Sequence, residues 1–247
     1  MPTTDHDLPR LRQAVLVAAD HEAVTSVLQR ELALADPFVD PGVAEFGLRN
    51  GVFAVGDTFV EVVSPVRDGT TAGRYLDRQG GDGGYMAMFQ IADVEAARAR
   101  LAELGVRVVW TVDHDDITDL HLHPRDVPGA IVDVTEARPA GSWRWAGPPW
   151  EGAVPAHGPG GIVGLTVAAA DPAGMAQRWA EAIGATAHVD GPGARIDLDR
   201  GRQTVRFVEA AGPREGICGI DLAVPAEVRA GRDRLDIGGV GFTLLDA

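Results

Sequence analysis

The chain has 247 residues, 45% of them hydrophobic and 23% charged, enough for one large domain or two ordinary ones with cores of their own. A formal net charge of −14 with no Lys/Arg-rich run argues against a nucleic-acid partner, whose affinity rests on phosphate neutralisation. No stretch approaches the roughly 20 apolar residues that span a bilayer, no leader-like segment opens the chain, and the single Cys218 suits a reducing compartment, so a cytoplasmic protein is expected.

In chain order, a strand is predicted at 14–19 and a helix at 21–32, where Val24, Val27, Leu28 and Leu32 recur at helical spacing. Strands follow near 43–49, 52–55 and 58–63, with Asn50-Gly51 as a hairpin signal between the first two. The polar, Gly-rich stretch 67–84 reads as a connector with a helical turn or two around 75–78. A strand at 85–91, a helix at 94–104 and strands at 106–110, 118–123 and 130–134 repeat the order. Residues 138–160 are rich in Pro, Gly and Trp and read as a linker that packs on a surface. Beyond it come a strand at 162–168, a helix at 172–183, three strands near 185–188, 194–198 and 204–209, and last strands at 217–224 and 241–245. Cys218, in an apolar run, is expected to be a buried small hydrophobe.

An internal repeat organises these elements. A short apolar strand ends in an Asp and an Ala-rich helix follows, at Gln13–Asp20, Met86–Asp93 and Gly164–Asp171. The expected fold is therefore α+β, built of paired βαβββ modules: an intact N-terminal pair at 11–137, the linker, and a degenerate C-terminal half at 161–247 whose last module is a remnant.

Strand parity selects candidate site residues. Phe59, Glu61 and Val63 share one face of their strand, and Ile131, Asp133 and Thr135 share one face of theirs. Met86 and Met88 point inward as a soft apolar wall. His121 and His123 face the same way; His123, before Pro124, reads as a turn cap, and His121 as a metal or oxyanion partner. Arg78 and Arg125 are placed to meet an anionic substrate group. The run Gly80–Gly84 does not open a helix after a strand and reads as a connector.

The modular pattern, with Pro41-Gly-Val-Ala-Glu45, the 72–78 stretch and His123-Pro-Arg-Asp-Val-Pro-Gly129 running into Asp133, resembles the vicinal oxygen chelate superfamily of glyoxalases, dioxygenases and bleomycin-resistance proteins, nearest to its methylmalonyl-CoA epimerases. The likeness is best over residues 11–136. It implies a glyoxalase-like fold and a small-molecule substrate or ligand, with a homodimer as a further expectation. By that resemblance Glu45 is the base that removes a proton beside a thioester carbonyl and a second carboxylate completes the exchange, so Glu45, Glu61 and Asp133 are the acids expected to perform the transfer. The superfamily's metal positions map to Gln13, Glu61, Met86 and Asp133. Met86 offers only a thioether, leaving Gln13, Glu61 and Asp133, an oxygen set that suits Mg²⁺ or Mn²⁺ over Zn²⁺. The other reading pairs Gln13 with Glu61 by a hydrogen bond and takes no metal. The ligand-equivalent positions of the second half, Gly164, Arg206 and Gly219, carry no acid or imidazole. Two functions stay open: an isomerase, epimerase or lyase that moves a proton beside a carbonyl or thioester, and a metal-free protein that binds a small molecule without chemistry.

Overall fold

Each Asp of the internal repeat starts a helix. Asp20, Asp93 and Asp171 accept a hydrogen bond from the backbone N–H three residues on, at Ala23, Ala96 and Gly174. The helices they cap are α1 (His21–Leu32), α3 (Val94–Glu103) and α4 (Pro172–Ile183), with α2 (Thr71–Gln79) between the first two. Such a cap satisfies one of the orphan N–H groups of the first turn and stabilises the helix by about 1 kcal/mol. The repeat is thus a device that stops a buried strand and starts a helix on cue.

The computed structural model describes residues 6–148 and 150–247. The first five residues, part of the leader expectation, and Pro149 of the linker lie outside them. The strands are β1 (Arg10–Val17), β2 (Leu48–Val55), β3 (Thr58–Pro65), β4 (Gly83–Gln90), β5 (Val108–His114), β6 (Ile117–Leu122), β7 (Ile131–Ala137), β8 (Gly161–Ala169), β9 (Ala187–Asp190), β10 (Gly193–Leu198), β11 (Gln203–Glu209), β12 (Gly216–Val224), β13 (Arg234–Ile237) and β14 (Val240–Asp246). They form two seven-stranded sheets, ordered β2-β3-β1-β4-β7-β6-β5 and β13-β14-β12-β8-β11-β10-β9. The last module holds only a one-turn helix, α5 (Ala226–Arg229), between β12 and β13.

The chain divides into two compact units whose limits fall inside β1, β4, β8 and β12 and, in the linker, between Ser142 and Trp143. One, here the β3 unit, takes residues 13–86, 143–163 and 217–247. In it β1 runs parallel to β3, with Gln13 opposite Phe59 and Val15 opposite Glu61, and β2 runs antiparallel to β3, with Val52 opposite Glu61. Leu16, Leu28, Leu32, Phe53, Phe59 and Val62 form its interior. The other, the β6 unit, takes 6–12, 87–142 and 164–216. There β6 pairs antiparallel with both β5 and β7. The buried Trp179 of α4 meets Phe89 and Phe207 edge to face and donates its indole N–H to the Pro128 carbonyl at 2.7 Å.

Three local expectations change. Residues 41–46 are a 3₁₀ turn, not a strand: Asp40 caps it by accepting from Gly42 N–H, and Gly47, at φ +70°, ends it. Asn50-Gly51 lies inside β2, because the Asn50 side chain is engaged on both sides, accepting from Asp40 N–H and donating to Glu61. The hairpin turn is Gly56-Asp57, whose Gly56 at φ +60° supplies the twist that a two-residue hairpin requires. Cys218 is exposed, one residue ahead of the stretch Gly219–Val224 where β12 pairs with β14. Among the described residues no helix is long and apolar enough to cross a membrane.

Candidate functional site

In the β3 unit, Gln13 and Glu61 sit on neighbouring strands, 1% and 7% exposed. Gln13 Nε2 donates to Glu61 Oε2 at 2.8 Å, and Asn50 Nδ2 donates to Glu61 Oε1 at 2.7 Å. The remaining oxygen of Gln13 accepts from the indole N–H of Trp143 at 2.7 Å. Trp143 comes from the linker and lies nearly parallel to Phe59, centroids 6.2 Å apart at 4°. Trp150, seven residues on, meets Phe59 edge to face at 5.2 Å. Linker rings thus cover the face on which Phe59 and Glu61 lie. All three oxygens that the resemblance offers a metal here accept hydrogen bonds from neighbouring side chains, so the pair as it stands does not fit an ion.

In the β6 unit the register decides what meets what. His121 of β6 lies opposite Asp133 of β7, and Asp119 lies opposite Thr135. Residues two apart on a strand share a face, so Asp119, His121, Asp133 and Thr135 form one cluster. Asp119 and Asp133 are 1% and 0% exposed, whereas the His121 side chain keeps 20%. His121 Nε2 stands 3.4 Å from Asp133 Oδ2 and 3.7 Å from Asp119 Oδ2. The Thr135 hydroxyl donates to Asp133 Oδ1 and lies 3.4 Å from Asp119 Oδ1. Asp133 Oδ2 is buried without a hydrogen bond. Burial, and then the charge of Asp119, push the Asp133 carboxyl well above the ordinary carboxylate range. Trp110 of β5 packs on the imidazole, rings 4.5 Å apart. Among the described residues one group of acidic and imidazole side chains has ligand atoms close enough to hold an ion, and it is Asp119, His121 and Asp133, within 4.8 Å of one another.

The other sequence candidates take separate places. Glu45 is exposed on the 3₁₀ turn. Met86 and Met88 are both buried on β4, Met86 in the β3 unit and Met88 in the β6 unit. Arg78, in the last turn of α2, lies over the Tyr75 ring at 5.4 Å. Arg125 is exposed, and its backbone N–H donates to His123 Nδ1, so His123 caps the turn beyond β6. Sequence reasoning missed Asp119. The signal was present, since Asp119 and His121 stand two apart on a strand, but only the β6–β7 register brings Asp133 to them.

No family model matches the chain. A curated protein, the ethylmalonyl-CoA/methylmalonyl-CoA epimerase of Cereibacter sphaeroides, is 24% identical over an alignment of 131 residues that covers 51% of this chain and 97% of that protein. The crystal structure of a methylmalonyl-CoA epimerase from Mycobacterium tuberculosis matches with 20% identity and a TM-score of 0.47, covering 56% of this chain and 93% of that one. A hypothetical protein from Staphylococcus aureus matches at 10% identity with a TM-score of 0.71, covering 97% of this chain and all of that one. The chain has an α+β, glyoxalase-like fold, and about half of it is similar in sequence to an epimerase.

Proposed function

We propose that the protein is an epimerase-like enzyme of the vicinal oxygen chelate kind, moving a proton on the carbon beside the carbonyl or thioester of a small molecule, with acyl-CoA thioesters as the substrate class. The similarity to the Cereibacter enzyme supports the class. The observation that carries it is the buried Asp133 carboxyl, whose unbonded Oδ2 faces His121 Nε2 at 3.4 Å. Carboxylates and imidazoles held out of water are the groups that move protons near neutral pH.

In this reading Glu45, at the position of the family's base, takes the proton from the substrate carbon. By the same resemblance Asp133 is the candidate second carboxyl, with Asp119 and Thr135 fixing its orientation. His121, the cluster member open to solvent, is the one a bound carbonyl reaches first. A divalent ion, when bound, supplies charge that stabilises the enolate oxygen, worth several kcal/mol in general. Arg78 and Arg125 remain candidates for the anionic part of the substrate, and Phe59, Met86 and Met88 for its apolar part. A cytoplasmic location belongs to the same proposal.

The test is exchange of the α-proton of methylmalonyl-CoA and other 2-substituted acyl-CoA thioesters in D₂O, followed by mass spectrometry. Exchange that falls by about 10²–10⁴-fold in Glu45→Gln supports the reading. Folded protein that exchanges none of these thioesters favours the second reading, a binding protein without chemistry. A specific observation speaks for a metal-free protein: the Gln13 and Glu61 oxygens already accept hydrogen bonds from neighbouring side chains.

A further inference from the structure

Building on the proton-transfer reading, we propose that the chain's divalent-metal site is Asp119, His121 and Asp133 on β6 and β7, and that Gln13 and Glu61 on β1 and β3 hold no ion. The family pattern places ligands on first and last strands of modules, and in this chain only Asp133 belongs to both sets.

The β3 unit argues the negative half. An ion at Gln13 and Glu61 would have to displace the Gln13–Glu61, Asn50–Glu61 and Trp143–Gln13 hydrogen bonds, all at 2.7–2.8 Å. It would also have to dislodge an indole that is 1% exposed and stacked on Phe59. Each buried polar group left unpaired costs about 1–3 kcal/mol.

The β6 unit argues the positive half. Two carboxylates, 1% and 0% exposed, stand side by side in the interior, and a dication neutralises both at once. Thr135 sorts their oxygens. Its hydroxyl is bonded to Oδ1 of Asp133 and is nearest Oδ1 of Asp119, which leaves Oδ2 of each turned to His121 Nε2. Outer partners that orient ligands in this way are a regular part of metal sites. The unbonded Asp133 Oδ2 is the atom the protein itself does not satisfy. Two ligands about 2.1 Å from a shared ion lie roughly 3.0–3.5 Å apart at octahedral or tetrahedral angles; the His121–Asp133 separation of 3.4 Å falls in that range, and the His121–Asp119 separation of 3.7 Å lies just above it. His121, a fifth exposed, leaves a side open to water or substrate.

One imidazole nitrogen and two carboxylate oxygens suit Mn²⁺. Mg²⁺ prefers oxygen and dehydrates reluctantly, and Ca²⁺ needs six to eight oxygens. The all-oxygen set read from the sequence favours Mg²⁺ and Mn²⁺ over Zn²⁺; an imidazole moves the balance away from Mg²⁺, toward Mn²⁺ and Zn²⁺.

The full-length protein, stripped with chelator, is titrated with Mn²⁺ alone. Bound ion is followed by electron paramagnetic resonance and counted by elemental mass spectrometry. About one Mn²⁺ per chain is expected, with affinity reduced at least tenfold in His121→Gln and in Asp119→Asn, and unchanged within threefold in Glu61→Gln. His121→Gln, half-buried and near in size, keeps the comparison valid if Asp119→Asn melts early by circular dichroism. No Mn²⁺ binding by the folded wild type overturns the proposal, as does loss of binding in Glu61→Gln with retention in His121→Gln. The readout uses no substrate, so the two readings fail separately. A chain that binds Mn²⁺ through His121 but exchanges no α-proton keeps the site and loses the enzyme. A chain that exchanges protons after chelation and binds no Mn²⁺ does the reverse.

Discussion

The indole nitrogen of Trp143 lies 2.7 Å from the side-chain oxygen of Gln13, 130 residues earlier in the chain. Through Gln13 and Asn50 this bond closes a chain of side-chain hydrogen bonds on Glu61 that ties the linker to β1, β2 and β3. Trp143→Phe keeps a ring on Phe59 but leaves the Gln13 oxygen without its donor, a loss of about 1–3 kcal/mol. Trp143→Ala also empties the space of a fully buried ring and costs about 3–5 kcal/mol. Urea unfolding with unchanged m-values measures both. If the two variants lose the same amount, the stacking on Phe59 contributes nothing and the hydrogen bond carries the contact.

Glu45 separates stability from chemistry. It is exposed, on a 3₁₀ turn stopped by Gly47 and capped by Asp40, and the cap does not use its side chain. Glu45→Gln therefore changes unfolding free energy by less than about 0.5 kcal/mol, as surface substitutions do. Its α-proton exchange, in contrast, falls by the factor expected for a lost general base. A variant that melts earlier yet exchanges at the wild-type rate removes Glu45 from the mechanism.

How far the sequence carries depends on the range of the interaction. The repeated Asp was legible because its work is local: Asp20, Asp93 and Asp171 each bond three residues ahead. Parity alone put Phe59 with Glu61, and Asp133 with Thr135, on shared faces. Asp119 escaped because its partners Asp133 and Thr135 lie across a hairpin, and a one-residue slip in register would turn them away. Asn50-Gly51 misled because a dipeptide that favours turns is held in a strand by Glu61 and Asp40. The tryptophans of the linker mark it as packing on a surface, but nothing in the neighbouring sequence points Trp143 to Gln13.

Cys218 gives a direct check of one such difference. The apolar run around it suggests burial, yet the thiol is exposed at the start of β12. Ellman's reagent should titrate one thiol per chain in native buffer, with no further rise on adding denaturant. A thiol that appears only in denaturant would place the first residues of β12 under cover.

Tyr75 and Tyr85, the two tyrosines of the chain, meet edge to face with centroids 5.1 Å apart, and the Tyr75 hydroxyl donates to the Gly84 carbonyl at 2.7 Å. Burial pushes Tyr85 up to about 12, with Tyr75 beside it adding to the shift. Burial raises Tyr75 as well, against the opposing influence of Gln79 and Arg78. Both shifts favour the neutral phenol in the folded state. The stability they confer is complete below the unfolded value of about 10 and is lost as pH rises above it, for Tyr85 through about 12. Phenolate absorbance of the native protein should therefore stay flat through about pH 10, then rise in one step together with loss of the circular dichroism signal. In urea both rings should titrate near 10. Tyr85→Phe removes the larger alkaline penalty, so its unfolding midpoint moves to higher pH and its absorbance step halves. Half the native amplitude appearing near pH 10 would mean that one ring is open to water.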